Sequence, residues 1–123
     1  MAEAPAANLS GKRLLVVEDE YLIATDLALS LEDQGATVVG PVGSIADALA
    51  LIATESTLDG AILDINLGHE RAWDIAEELR RRGVPFIFAT GYDAWITPEA
   101  FRDVPRCEKP VDTRVLARLL DAR

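Results

Sequence analysis

Three carboxylates stand where apolar runs stop. Leu14, Leu15, Val16 and Val17 lead into Glu18 and Asp19, and Ala61, Ile62 and Leu63 lead into Asp64. Acids held this close repel one another and need a divalent cation or protons to settle. A hard cation such as Mg²⁺, or Mn²⁺ in its place, takes oxygen ligands, usually one or two carboxylates with waters and a phosphate. Asp19 and Asp64 can supply two such oxygens, and the Asn66 backbone carbonyl a third. Thr90 offers a hydroxyl donor and Lys109 an ammonium on a flexible stem. A cation, a hydroxyl and an ammonium around one aspartate make a receptor for three phosphoryl oxygens. The aspartate can itself be the nucleophile, giving an aspartyl phosphate whose charge the cation and Lys109 spread. Taken singly, each residue has an ordinary structural use. An Asp after a strand forms turns or caps, a Thr at a strand end bonds locally, and a Lys before Pro110 is solvated. Their common position at carboxyl ends of apolar runs is what points to chemistry.

Those runs must be strands. The first covers about Arg13 to Val17, and Ile23, Leu27 and Leu31 then mark one face of a helix that Gly35 can end. Ala36 to Val42 reads as a second strand, closed by Gly40, Pro41 and Gly43. Ser44 and Asp47 form a capping-box variant ahead of a helix with Ile45, Leu49 and Ile52 inward. Ala61 to Leu63 is the third strand, followed by a loop with Asn66, Gly68 and His69. The third helix carries Ala72, Ile75, Ala76 and Leu79 and ends in three arginines and Gly83, a solvated end that suits the helix dipole. Val84 to Ala89 is the fourth strand and Arg106 to Glu108 a short fifth. Asp112 can cap a last helix with Val111, Val115 and Leu119 inward and Leu116 and Leu120 beside them. Between Gly91 and Pro105 there is only one helical turn of pattern, near Pro98 to Phe101. Alternation of this kind predicts an α/β fold, a parallel five-stranded sheet with helices on both faces.

Size and composition agree. The 123 residues suit one domain, from residue 12 to 123, behind a flexible tail of residues 1–11. Half the residues are hydrophobic, and 12 basic against 21 acidic residues leave a net charge of −9. That balance argues against non-specific nucleic-acid or anionic-membrane partners. No apolar run approaches the ~20 residues of a membrane span, and the first residues lack a secretory pattern. The lone Cys107 allows no internal disulfide and reads as a structural thiol in a cytoplasmic protein.

With Val16-Val17-Glu18-Asp19-Glu20, Ala61-Ile62-Leu63-Asp64, Thr90 and Lys109-Pro110 in place, the chain resembles the receiver domain of two-component response regulators from about Lys12 to Ala122. The resemblance implies a doubly wound, flavodoxin-like sheet of strand order 2-1-3-4-5. It implies that Asp64 accepts a phosphoryl group from a histidine kinase, and that the domain otherwise catalyses only its own dephosphorylation. Asp19 would bind Mg²⁺ directly and Glu18 through water, while Thr90 and Lys109 would each take a phosphoryl oxygen. Asn66 and Tyr92 would border the path of the hydrolytic water.

Two features depart from the common receiver pattern. Arg106 stands where most receivers carry an aromatic residue, three before the lysine, and the Thr90–Lys109 interval is short, so a fourth helix must be reduced or replaced by a loop. Phe88-Ala89-Thr90-Gly91-Tyr92 matches the "FAT GUY" subclass, often paired with kinases of the HWE and related classes. The expectation is therefore a loop over Gly91 to Pro105 that orders on phosphorylation, with Tyr92 or Trp95 as the moving aromatic. Output would run through protein contacts, from a stand-alone receiver or one excised from a longer chain. The competing classes are an aspartate-nucleophile phosphatase of haloacid-dehalogenase type and a flavodoxin-like cofactor binder. The first lacks a second acid after Asp64, and in the second Glu18, Asp19 and Glu20 would repel phosphate.

Overall fold

The computed structural model describes residues 8–91 and 97–121. The chain runs β1 (Arg13–Val17), α1 (Tyr21–Asp33), β2 (Thr37–Val42), α2 (Ile45–Thr54), β3 (Gly60–Asp64), β4 (Asn66–Leu67), β5 (Glu70–Arg71), α3 (Trp73–Arg81), β6 (Phe86–Thr90), β7 (Arg106–Glu108) and α4 (Leu116–Asp121). The larger sheet is parallel, in the order β2-β1-β3-β6-β7. This is the doubly wound order expected, once the two-residue strands β4 and β5 are passed over. Those two form a separate antiparallel hairpin.

Period-two alternation divides the core between the two faces of the sheet. Leu14, Val16, Ile62, Ile87 and Ala89 face α1 and α4, where Leu27, Leu31, Leu116 and Leu120 meet them. Leu15, Val17, Leu63, Phe86 and Phe88 face α2 and α3, where Ile52, Ile75 and Leu79 meet them. Both glycine-terminated helices end as read: α1 closes with Ala36 N–H on Leu31 C=O and α3 with Val84 N–H on Leu79 C=O. Ser44 accepts the Asp47 amide at 3.1 Å at the start of α2.

Several local readings need correction. Gly40 and Pro41 do not close the second strand; β2 runs through them, with an irregularity in its register against β1. As an edge strand it tolerates a missing amide and a bulge. Within residues 8–11, expected in a flexible tail, Leu9 is fully buried and the Gly11 amide bonds Gly35 C=O, while Asn8, Ser10 and Gly11 are exposed. The buried stripe of α1 takes Ala24 with Leu27 and Leu31, and Ile23 is only half-buried. In α2 the buried residues are Ala48 and Ile52, and Leu49 is only half-buried. Asp112 does not cap α4, which starts at Leu116; it accepts the Arg114 amide in a preceding turn. Val115 is exposed, while Leu116 and Leu120 are buried as expected, joined by Ala117. Thr113, buried, joins that turn to α1 through Ser30 and Gln34.

Between β6 and β7 the described residues hold no α-helix, only a 3₁₀ turn at Glu99–Phe101. Phe101 stacks on Trp73 at 5.8 Å and meets Phe88 edge-on at 6.2 Å. Arg80, read as part of a solvated helix end, bonds Ala100 C=O at 2.7 Å and pairs with Asp103. The expectations for Tyr92 and Trp95, and for residues 1–7, lie outside the described residues.

Candidate functional site: acids at the sheet's carboxyl edge

The parallel sheet brings every strand's carboxyl end to one edge. Glu18 follows β1, Asp64 ends β3, Thr90 ends β6 and Lys109 follows β7. Thr90 C=O accepts the Lys109 amide at 3.1 Å, which ties the last two together. Glu18, Asp64 and Thr90 are buried, Lys109 is half-buried and Asp19 is exposed. Carboxylate oxygens of Glu18, Asp19 and Asp64 all lie within 4.8 Å of one another. Gly43 makes room for this turn, since a Cβ there would come within 3.2 Å of Asp19 Cα.

Lys109 Nζ stands 2.7 Å from Glu18 Oε1 and 3.1 Å from Asp64 Oδ2. The Asn66 amide donates to Asp64 Oδ1 at 3.2 Å and the Glu20 amide to Glu18 Oε2 at 3.2 Å. Burial, then the neighbouring Glu18, push the Asp64 carboxyl up to about 7 against the pull of Lys109. Burial works against the Glu18 charge as well, but hydrogen bonds from Asp64, Lys109 and the Glu20 amide outweigh it and hold that carboxyl low. Burial likewise opposes the Lys109 charge, and its bonds to Glu18 and Asp64 overcome this and raise it. Two acids and one lysine thus share one unsatisfied negative charge. A hard divalent cation fits that donor set and would compete with the proton for Asp64.

Asn66 begins β4, so its backbone lies immediately beyond Asp64. Arg106 pairs with Phe88 across β6 and β7 and is exposed. Cys107 is half-buried, packed toward the α1–α4 face, and its thiol is pushed up by burial and by Asp112, as suits a structural role. The hairpin after Asp64 was missed by the sequence reading, although Gly68-His69 between short runs is a two-residue turn signal.

A doubly wound sheet of this order, with acids at its carboxyl edge, is the flavodoxin-like architecture that receiver domains have. The response regulator receiver domain family matches residues 14–104, and the chain belongs to that family. It is 42% identical to SdrG of Sphingomonas melonis Fr1, whose solution structure covers 91% of this chain and 95% of its own, with a TM-score of 0.78. A second structure, the BeF₃-activated conformation of SdrG from Pseudomonas melonis Fr1, is 41% identical over 92% of this chain and 96% of its own, with a TM-score of 0.73. The transcriptional regulatory protein PdtaR of Mycobacterium tuberculosis is 31% identical over 93 residues, which is 75% of this chain. The chain spans only 45% of PdtaR's length. The family model that matches is that of a receiver, and not of a haloacid dehalogenase or a flavodoxin. Receiver domains bind Mg²⁺ at an acidic pocket and are typically phosphorylated by histidine kinases. Among the described residues no helix is long and apolar enough to cross a membrane.

Proposed function

We propose that the chain is the phosphoacceptor of a two-component relay, taking a phosphoryl group from a kinase phosphohistidine onto Asp64. The observation that carries this is Lys109 Nζ bridging Glu18 and Asp64 at 2.7 and 3.1 Å in a buried pocket. An Asp64 carboxylate oxygen attacks phosphorus as the P–N bond to histidine breaks, and the imidazole leaves with the bonding electron pair. Lys109, already against Asp64, turns to the transferred phosphoryl oxygens, and the Thr90 hydroxyl donates to another. Asp19, Asp64 and the Asn66 carbonyl would hold Mg²⁺, with Glu18 assisting through water. When bound, the ion supplies charge neutralisation at the phosphoryl group.

The activity is confined to self-phosphotransfer and autodephosphorylation. Asn66, Tyr92, Trp95 and Arg106 tune the lifetime of the phosphorylated state, and the 90–109 region alters protein contacts. The kinase is of the HWE or a related class, and the setting is cytoplasmic, without nucleic-acid or membrane partners. The activated form reported for SdrG, made with a phosphoryl mimic, supports the same chemistry here.

The test is incubation with a small-molecule phosphodonor and Mg²⁺, read by intact mass. One phosphoryl group should add to the wild-type chain and none to Asp64→Asn. Equal labelling of that variant would remove Asp64 from its role.

A further inference from the structure

The residues after Asp64 form a closed hairpin, with Asn66 opposite Arg71 and Leu67 opposite Glu70. The Ala72 amide on Ile65 C=O, at 3.0 Å, closes its base. Gly68 takes φ +65°, and no described non-glycine residue has a positive φ. The turn therefore has its left-handed demand at the first central position, where glycine is favoured. From that turn the Gly68 amide donates to Asp19 Oδ2 at 3.1 Å. Asp19 is exposed, so a fixed donor is what distinguishes its carboxylate from one turning freely in water. The bond engages one oxygen and leaves the other for a cation. The same hairpin fixes the backbone of Asn66, the carbonyl candidate.

We propose that the β4–β5 hairpin is the positioning element of the divalent-cation site, with Gly68 orienting Asp19 through its amide and the Asn66–Arg71 pair orienting the Asn66 carbonyl. This rests on the reading of Asp19 and Asn66 as cation ligands. A ligand held in place before binding gives up less freedom when the cation arrives. Partners that orient metal ligands typically change affinity by about 10–100-fold when removed.

Space around Gly68 is open, since a Cβ there meets nothing within 4 Å. Only backbone conformation is therefore at stake. A positive φ at the first central position alone is the type II′ pattern, which strains any L side chain, so Gly68→Ala and the β-branched Gly68→Val should both disturb the turn. Mg²⁺ titration of the full chain, followed by calorimetry, should show Gly68→Ala and Gly68→Val each about tenfold weaker than wild type. A folded Gly68→Val with wild-type affinity overturns the proposal. Should that variant not fold, amide exchange decides in its place. In Asp19→Ala the Gly68 amide should exchange faster while the Ala72 amide does not change, and an unaltered Gly68 rate overturns the proposal. Wild-type protein that binds no Mg²⁺ sinks the cation reading itself, whatever Gly68 does.

Discussion

The two faces of the sheet are packed differently. Under α2 and α3, Phe86, Phe88, Phe101 and Trp73 form a continuous aromatic cluster with ring centroids 5.6 to 6.2 Å apart. Under α1, beside the turn into α4, a cleft of about 550 Å³ opens between Ile23, Leu27 and Val111. Glu18 and Lys109 form part of its wall, so the charged groups of the site stand on the less filled side. The difference bears on how the sheet is covered after its fourth long strand, where the described residues hold only a 3₁₀ turn. The aromatic face has enough interlocking surface to seat a single 3₁₀ turn where a helix would otherwise lie. The opposite face leaves room beside Glu18 and Lys109.

The sharpest way to break that contrast is to truncate one side chain on each face. Phe88 is fully buried among three other rings, and Phe88→Ala should cost about 3–5 kcal/mol. Leu27 already borders open space, and Leu27→Ala should cost no more than about 2–3 kcal/mol, because fewer atoms lose partners. Urea unfolding of the two variants checks this. An equal or larger loss at Leu27 would mean that the cleft is filled in solution and that the faces are alike.

What the sequence made legible follows the same line. Short apolar runs mark buried parallel strands, so Glu18, Asp64, Thr90 and Lys109 could be assigned to one edge before any coordinates. The single helical turn near Pro98 to Phe101 was visible too. Its partners were not, because Trp73 and Arg80 lie far off in sequence and a basic helix end ordinarily points to solvent. The hairpin escaped notice since two-residue strands carry no alternation to detect. In α2, alanine and leucine on every side hide which residue faces inward, and Ala48 was passed over for Leu49. Leu9 belongs to no periodic segment, so only the fold reveals that it is core.

The site's place beside the cleft has a pH signature. Asp64 titrates at about 7 in the fold against an ordinary 3.8, so the folded chain holds a proton that the unfolded one has released. Its contribution is full below about pH 3.8 and is lost as pH rises through about 7. Glu18 has the opposite sign: its carboxyl is lowered from 4.5, so its contribution is present above that value and lost as pH falls. Between these limits Asp64 dominates, and metal-free protein should lose on the order of 2 kcal/mol from pH 5 to 8. Asp64→Asn should remove that loss, and excess Mg²⁺ should reverse it in the wild type. Thermal melts at the two pH values settle the matter, and a wild type as flat as Asp64→Asn would refute the strained pair.

The smallest effect tests what seats the 3₁₀ turn. Arg80 reaches Ala100 C=O at 2.7 Å, pairs with Asp103 at 3.2 Å and lies 5.2 Å over the Phe101 ring. Its neighbour Arg81 is 69% exposed and pairs with Glu78, which Arg82 also holds. Arg80→Ala should therefore cost about 1–2 kcal/mol, and Arg81→Ala under about 0.5 kcal/mol. The amides of Phe101, Arg102 and Val104, bonded within the turn to Pro98, Glu99 and Phe101 carbonyls, should exchange faster in the first variant only. If both variants leave those amides unchanged, ring stacking on Trp73 holds the turn without help. The aromatic face would then suffice to seat the 3₁₀ turn, and Arg80 would only cover its rim.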